Sequence, residues 1–150
     1  MPGHVLQLAH ARAYRGATRV RQVLASGSFI EGWAVHAEEI MARLGYGGVP
    51  VRLQQLKTML RTTINALLDT GVHAGVMSDT EAIGLMTARG FQEEGEAVGK
   101  WRRVLLTSAQ LSTYFVGYAE LAPMVAGRST YDEVLAHGSP PPRHLPALLG

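Results

Sequence analysis

A chain of 150 residues, 47% hydrophobic and 17% charged, is long enough to bury one core, and we expect a single domain over residues 1–150. Its formal net charge of +2 is too small to indicate nucleic acid or an anionic membrane as a partner. Because the sequence has no cysteine, disulfides and thiolate metal sites are excluded, and any metal ligands must be histidines and carboxylates.

The first half of the chain carries apolar residues at helical spacing, and no segment alternates with a period of two. This pattern predicts an all-α fold. The predicted helices of this half span residues 4–15, 18–25, 29 or 30 to 44, and 51–73. Glycines end the first three of them. The fourth helix carries a broad apolar stripe that predicts the spine of the core. The stripe comprises Leu53, Leu56, Met59, Leu60, Ile64, Leu67 and Leu68.

The second half continues the helical pattern with clearer boundaries. Ser78 or Asp79 is the expected N-cap of a short helix that ends before Gly90, and Glu81 can complete a capping box from Ser78. Further helices are predicted over 93–106, 110–125 and 130–136. The run from Gly138 to Pro142 is expected to end regular structure.

Targeting signals are the next feature to consider. The sequence shows no signal peptide and no run of about 18 to 20 apolar residues, the length needed to span a bilayer. We therefore expect a cytoplasmic protein with neither a membrane nor a nucleic acid as partner.

Two short segments suggest metal chemistry. Common zinc peptidases use two histidines four residues apart on one helix, a glutamate beside them as general base, and a third ligand from a second helix. No His-Glu-x-x-His occurs in this chain. It has Pro2-Gly3-His4 at its start and Glu31-Gly32-Trp33-Ala34 on the third predicted helix.

These segments resemble the bacterial family called domain of unknown function 885 (DUF885), whose members resemble gluzincin metallopeptidases. The family segment His-Glu-Ala-x-Pro-Gly-His-x-Leu-Gln is matched in its second half by Pro2–Gln7. Its Glu-Gly-Trp-Ala-x-Tyr-Ala-Glu is similar to Glu31–Glu38, where His36 replaces the tyrosine. Further similar segments follow in family order over essentially the whole chain, at 69–73, 103–117 and 131–138.

The resemblance implies a Zn²⁺ site with His4 and Glu31 as ligands. The family's first histidine and its glutamate base would lie upstream of Met1. Glu38 lies seven residues after Glu31 on the same helix face, and we expect a solvated carboxylate or one that supports the site, not a metal ligand. With two ligands and no base, this chain alone is expected to show little or no peptidase activity.

Three further residues are candidate substrate contacts. In the family interpretation His73 stabilises the oxyanion and Asp69, four residues earlier, orients its ring; the alternative is a surface pair near a helix end. Tyr114 is implied as a second oxyanion donor, whereas a core aromatic is the alternative. Arg103 would bind a substrate carboxylate or form a structural ion pair with a residue such as Glu96.

The resemblance thus implies the C-terminal catalytic part of a zinc-dependent peptidase-like protein that acts on a peptide substrate. A competing hypothesis is a non-catalytic helical interaction or self-association module, because loss of an N-terminal half would expose apolar surface on the first and fourth helices. A gene fragment or a misplaced start codon is a third.

Overall fold

The structure is a computed structural model that describes residues 3–16, 19–128 and 130–150. All regular secondary structure in these ranges is helical, which confirms the predicted all-α class. None of the described helices is both long and apolar enough to cross a membrane. The helices are α1 (His4–Ala13), α2 (Val20–Val23), α3 (Gly27–Arg43), α4 (Gly48–His73), α5 (Asp79–Gly84), α6 (Glu94–Leu106), α7 (Thr113–Val125), α8 (Asp132–Leu135) and α9 (Pro146–Leu149).

The chain forms two compact units. The first consists of Met1–Met41 and Val116–Gly150, and the second of Ala42–Phe115. A single domain over the whole chain stays a prediction. The core of the first unit contains Phe29, Trp33, Ala37, Leu121, Val125, Val134, Leu135 and Leu145. The core of the second contains Ile64, Leu68, Ala82, Met86 and Ala97.

The capping residues Ser78 and Glu81 predicted the start of α5, the short helix of the second unit. The Ser78 hydroxyl accepts the Glu81 backbone N–H at 3.3 Å, and the Glu81 carboxylate accepts the Ser78 N–H at 2.9 Å. This confirms the predicted capping box. The helix does not stay α-helical up to Gly90, because a π-helical turn over Leu85–Arg89 follows α5.

Several predicted boundaries were wrong at the helix ends. The helix expected over 4–15 ends at Ala13, and the one expected from Thr18, which lies outside the described residues, is observed only over Val20–Val23. Helices α3 and α4 begin two to three residues earlier than predicted, and α8 is shorter than the predicted 130–136.

The C-terminal segment also differs from its prediction. Regular structure does not end at Pro142, since a 3₁₀ turn over Pro142–His144 and α9 follow it. Pro142 and Pro146 occupy the first positions of these elements, where the missing N–H of proline has no helical partner to lose.

Helix α7 begins three residues later than predicted. Ala109, the residue before the predicted start, has a left-handed φ of +59°. The carboxylate of Asp69 accepts the backbone N–H groups of Ala109 and Ser112, at 3.1 and 2.8 Å. These bonds fix a non-helical loop, so α7 begins only at Thr113.

The prediction of α4 as the core spine was wrong for most of its apolar stripe. Ile64 and Leu68 are buried, but the exposed α4 stripe, as we call it, consists of Val49, Leu53, Leu56, Leu60 and Leu67. The buried side of α4 instead carries Gln55, Thr62 and Asp69. The apolar pattern therefore identified an apolar face of α4, but most of that face is exposed and does not pack against the core.

Candidate functional site

In the first unit, the two predicted metal ligands lie close together. His4 Nε2, from the first residue of α1, is 3.8 Å from Glu31 Oε2 on α3. Two ligands of one tetrahedral zinc, each about 2.0 to 2.2 Å from it, lie roughly 3.3 Å apart. The side chains are 48% and 28% exposed, respectively. The pair can therefore share one ion after a small side-chain adjustment.

Trp33 ties the start of α1 to α3. Its buried indole donates a hydrogen bond from Nε1 to the carbonyl oxygen of Gly3, at 3.2 Å. Gln7, buried one turn later on α1, donates from its amide to the Ser139 hydroxyl at 2.6 Å. Because Gly3 directly precedes His4, the Trp33 bond helps to position His4 beside Glu31.

Gly32, in the Glu31–Ala34 segment, lies where α3 packs closely against α7. A Cβ atom on Gly32 would lie 2.3 Å from the carbonyl carbon of Gly117, and one on Gly117 would lie 1.9 Å from the carbonyl oxygen of Ser28. Backbone atoms of α3 and α7 thus touch where neither helix carries a side chain. This contact fixes the backbone of α3 next to Glu31.

Glu38 is electrostatically coupled to this pair. Partial burial raises the pKa of its carboxyl above the ordinary value of 4.5, and the charge of His4 partly opposes that rise. The Glu38 side chain is exposed at the surface of α3. Within residues 3–16, 19–128 and 130–150, no three His, Cys, Asp or Glu side chains form a group that could hold a metal ion. The described site therefore offers two donors, with Glu38 within electrostatic reach of one of them.

Replacing Glu38 with Gln is expected to stabilise the chain at pH 7. A raised folded-state pKa means that the native protein binds the proton more tightly than the unfolded chain, so the native carboxyl loses stability as the pH rises above 4.5 through that raised pKa. The amide variant lacks this loss. Urea unfolding at several pH values should show that the variant has the larger free energy of unfolding. The difference from the unmodified chain should grow with pH and disappear below about pH 4.5. Glu120→Gln, the same change on α7, is the control, and a difference independent of pH would contradict the assignment.

In the second unit, Asp69 and His73 form the predicted pair. His73 Nε2 is 3.3 Å from Asp69 Oδ1, across one turn of α4. The same nitrogen donates to the carbonyl oxygen of Thr107 at 2.7 Å. With Nε2 as the donor, His73 could offer an N–H to an oxyanion only from Nδ1, in the doubly protonated form. Asp69 is 3% exposed, and its two bonds to the loop after α6 add a structural role.

Arg103 and Tyr114 lie on either side of that loop. Arg103 Nη2 donates to Gln110 Oε1 at 2.6 Å. The suggested partner Glu96 pairs with Arg61 instead, at 3.3 Å. Tyr114 is half-buried in the first turn of α7. The structure therefore joins Arg103 to Gln110 and places Tyr114 directly after the loop that Asp69 holds.

Lys100 is a residue that sequence reasoning missed. Burial lowers the pKa of its ammonium group; the charge of Glu96 opposes this, and the guanidinium groups of Arg61 and Arg103 reinforce it. Lys100 therefore lies among the charged side chains of α4 and α6. The only sequence signal was its position, three residues before Arg103 on one helix face.

Comparisons with known proteins give a family and a solved structure of similar fold, but no activity. Residues 1–149 match the model of a family described as bacterial protein of unknown function (DUF885). A solved structure from Shewanella oneidensis, described as "a putative lipoprotein of unknown function", is 32% identical with a TM-score of 0.84. The match covers 99% of this chain and 29% of that chain. No curated protein matches this chain.

Proposed function

We propose that this chain, which belongs to the bacterial DUF885 family, contributes part of the zinc site of a peptidase-like protein. The approach of His4 Nε2 to Glu31 Oε2, at 3.8 Å, is the observation that supports this most. An imidazole nitrogen and a carboxylate oxygen are the donors that zinc takes where cysteine is absent. In this proposal the remaining ligands come from outside the described residues.

Zinc bound there would polarise a peptide carbonyl and lower the pKa of a water molecule. His4 and Glu31 would hold the ion, and the Trp33 bond to Gly3 would keep His4 in place. Glu38 would offset part of the positive charge beside His4. The proposed location is the cytoplasm, although the Shewanella protein is described as a lipoprotein.

Within the second unit, we assign substrate contacts to its own residues. The Tyr114 hydroxyl is proposed as a donor to an oxyanion, and Arg103 as a contact for a substrate carboxylate. His73 is proposed as a further oxyanion donor through Nδ1. Asp69 then acts as a positioning residue, since its carboxylate holds both His73 and the loop before Tyr114.

Zinc titration of the full chain tests the metal proposal. We expect weak binding, because two protein ligands hold zinc less tightly than three or four. His4→Gln and Glu31→Gln are each expected to weaken it by about tenfold or more. His10→Gln, which removes a histidine of the same helix that pairs with Asp132 at 3.3 Å, should leave the affinity unchanged.

Two outcomes would contradict the zinc proposal. Equal losses in His4→Gln and His10→Gln would place the zinc elsewhere on α1. Robust hydrolysis of a peptide by the chain with tightly bound stoichiometric zinc would show a complete catalytic centre instead of part of one.

A second candidate is a non-catalytic helical interaction or self-association module. Large apolar side chains are exposed in each unit, which favours this candidate. They are Val5, Leu6 and Leu8 on α1, and the exposed α4 stripe. Sizing chromatography with light scattering separates the candidates, because a monomer that binds zinc through His4 supports the first, and a zinc-independent oligomer supports the second.

A further inference from the structure

The exposed α4 stripe has the spacing of a coiled-coil seam. Its residues follow one another at intervals of four, three, four and seven, the last interval containing Thr63 at the intermediate position. At 3.6 residues per turn these side chains lie within about 60° of one another around the helix axis. The stripe is about 27 Å long, and a heptad pattern of this kind fits the apolar seam of a second helix.

No part of the second unit covers this stripe. The exposed fractions are 80% for Val49, 67% for Leu53, 48% for Leu56, 38% for Leu60 and 52% for Leu67. The opposite face of the same helix supplies the buried Gln55, Thr62 and Asp69. The helix thus packs into its unit through one face and presents on the other an apolar face that only Thr63 interrupts.

The charges beside the stripe indicate what kind of helix it fits. In the heptad numbering set by Leu53 and Leu56, Arg52 and Lys57 occupy the two flanking positions that select coiled-coil partners. No acidic residue occurs between Val49 and Leu68, and Asp69 is buried. The flanks of the stripe are therefore basic.

A second copy of α4 would be a poor partner for this surface. A second α4 offers no acidic residue to Arg52 or Lys57 in either orientation, and a parallel pair sets Arg52 against Lys57, which disfavours that pairing. A helix with acidic flanks brings opposite charges together at the same positions. The charge pattern thus separates a heterologous partner from self-association.

We propose that the exposed α4 stripe is a docking site for an acidic amphipathic helix, with apolar side chains at heptad spacing and glutamate or aspartate beside them. This proposal goes beyond the zinc site, because it depends on none of that site's residues. It holds for a catalytic or a non-catalytic chain alike. The partner helix buries the stripe and pairs its acidic side chains with Arg52 and Lys57.

The test uses the full chain and a synthetic helical peptide of about three heptads, with leucine at the seam and glutamate at the flanks. Fluorescence anisotropy without zinc should show saturable binding. The same peptide with lysine at the flanks should bind about tenfold more weakly or worse, and Leu56→Asp should weaken binding of the acidic peptide by a similar factor. Leu106→Asp, which changes another leucine of this unit that is 85% exposed, is the control and should have no effect.

A charge-swapped variant makes the test sharper. Arg52→Glu combined with Lys57→Glu is expected to reverse the preference, so that the lysine peptide binds more tightly. Equal binding of the two peptides to the unmodified chain would overturn the proposal. Equal losses in Leu56→Asp and Leu106→Asp, or a dimer of the unmodified chain that Leu56→Asp dissociates, would also overturn it.

Discussion

Replacing Gly117 with Ala is expected to lower the free energy of unfolding by about 2 to 3 kcal/mol. The added methyl group would lie 1.9 Å from the carbonyl oxygen of Ser28 and 3.1 Å from the Cα atom of Gly32. Both are backbone atoms, so no side-chain rotation can relieve the clash and the two helices must move apart. Urea unfolding followed by circular dichroism measures the loss.

Gly99→Ala is the matched control for this prediction. Gly99 lies inside α6, and a Cβ atom there would meet nothing within 4 Å. The same substitution should therefore stabilise the chain by about 0.5 to 1 kcal/mol, because alanine has a higher helix propensity than glycine. Opposite signs at the two positions are expected, and a neutral Gly117→Ala would show that α3 and α7 do not need this close contact.

Asp69→Ala is expected to destabilise the second unit by about 3 kcal/mol or more. Asp69 is 3% exposed, and its carboxylate accepts two backbone N–H groups, from Ala109 and Ser112. Removing it leaves both donors without their acceptor, and each hydrogen bond to a charged group contributes about 1.5 to 3 kcal/mol. Unfolding in urea gives the size of the loss, and amide hydrogen exchange at Ala109 and Ser112 shows its location.

Two further variants separate the hydrogen bonds of Asp69 from its charge alone. Asp69→Asn keeps one acceptor oxygen, so we expect an intermediate loss. Asp132→Ala removes a carboxylate that is 74% exposed and pairs with His10 on the surface, and it should cost less than about 1 kcal/mol. Similar losses in Asp69→Ala and Asp132→Ala would refute a special role for the buried carboxylate.

Features set by neighbouring residues were predictable from the sequence. The all-α class follows from apolar periodicity, the capping box from Ser78 and Glu81 three residues apart, and the Asp69–His73 contact from a spacing of four. Each depends on residues within a single helix. Local geometry alone therefore determines them.

Features set by distant residues were not predictable. The start of α7 depends on Asp69, which lies 40 and 43 residues before the amides that it binds. The exposed α4 stripe has the periodicity of a core face, and periodicity does not tell whether another element covers that face.

The candidate metal pair was predicted through family resemblance, and the structure explains the residues around it. The sequence indicated a role for Glu31, while Gly32 and Trp33 served only to identify the segment. In the fold, Gly32 permits the contact between α3 and α7, and Trp33 bonds to the residue before His4. Neither partner could be inferred from the segment, since both lie more than 25 residues away.

The position of the tryptophans gives the chain an optical probe in each unit. Its two tryptophans are Trp33, buried in the first unit, and Trp101, half-buried in the second. With Trp101 changed to Phe, intrinsic fluorescence reports only on the first unit, and with Trp33 changed to Phe it reports only on the second. Emission spectra recorded across a denaturant series can therefore follow the unfolding of each unit separately in the intact polypeptide.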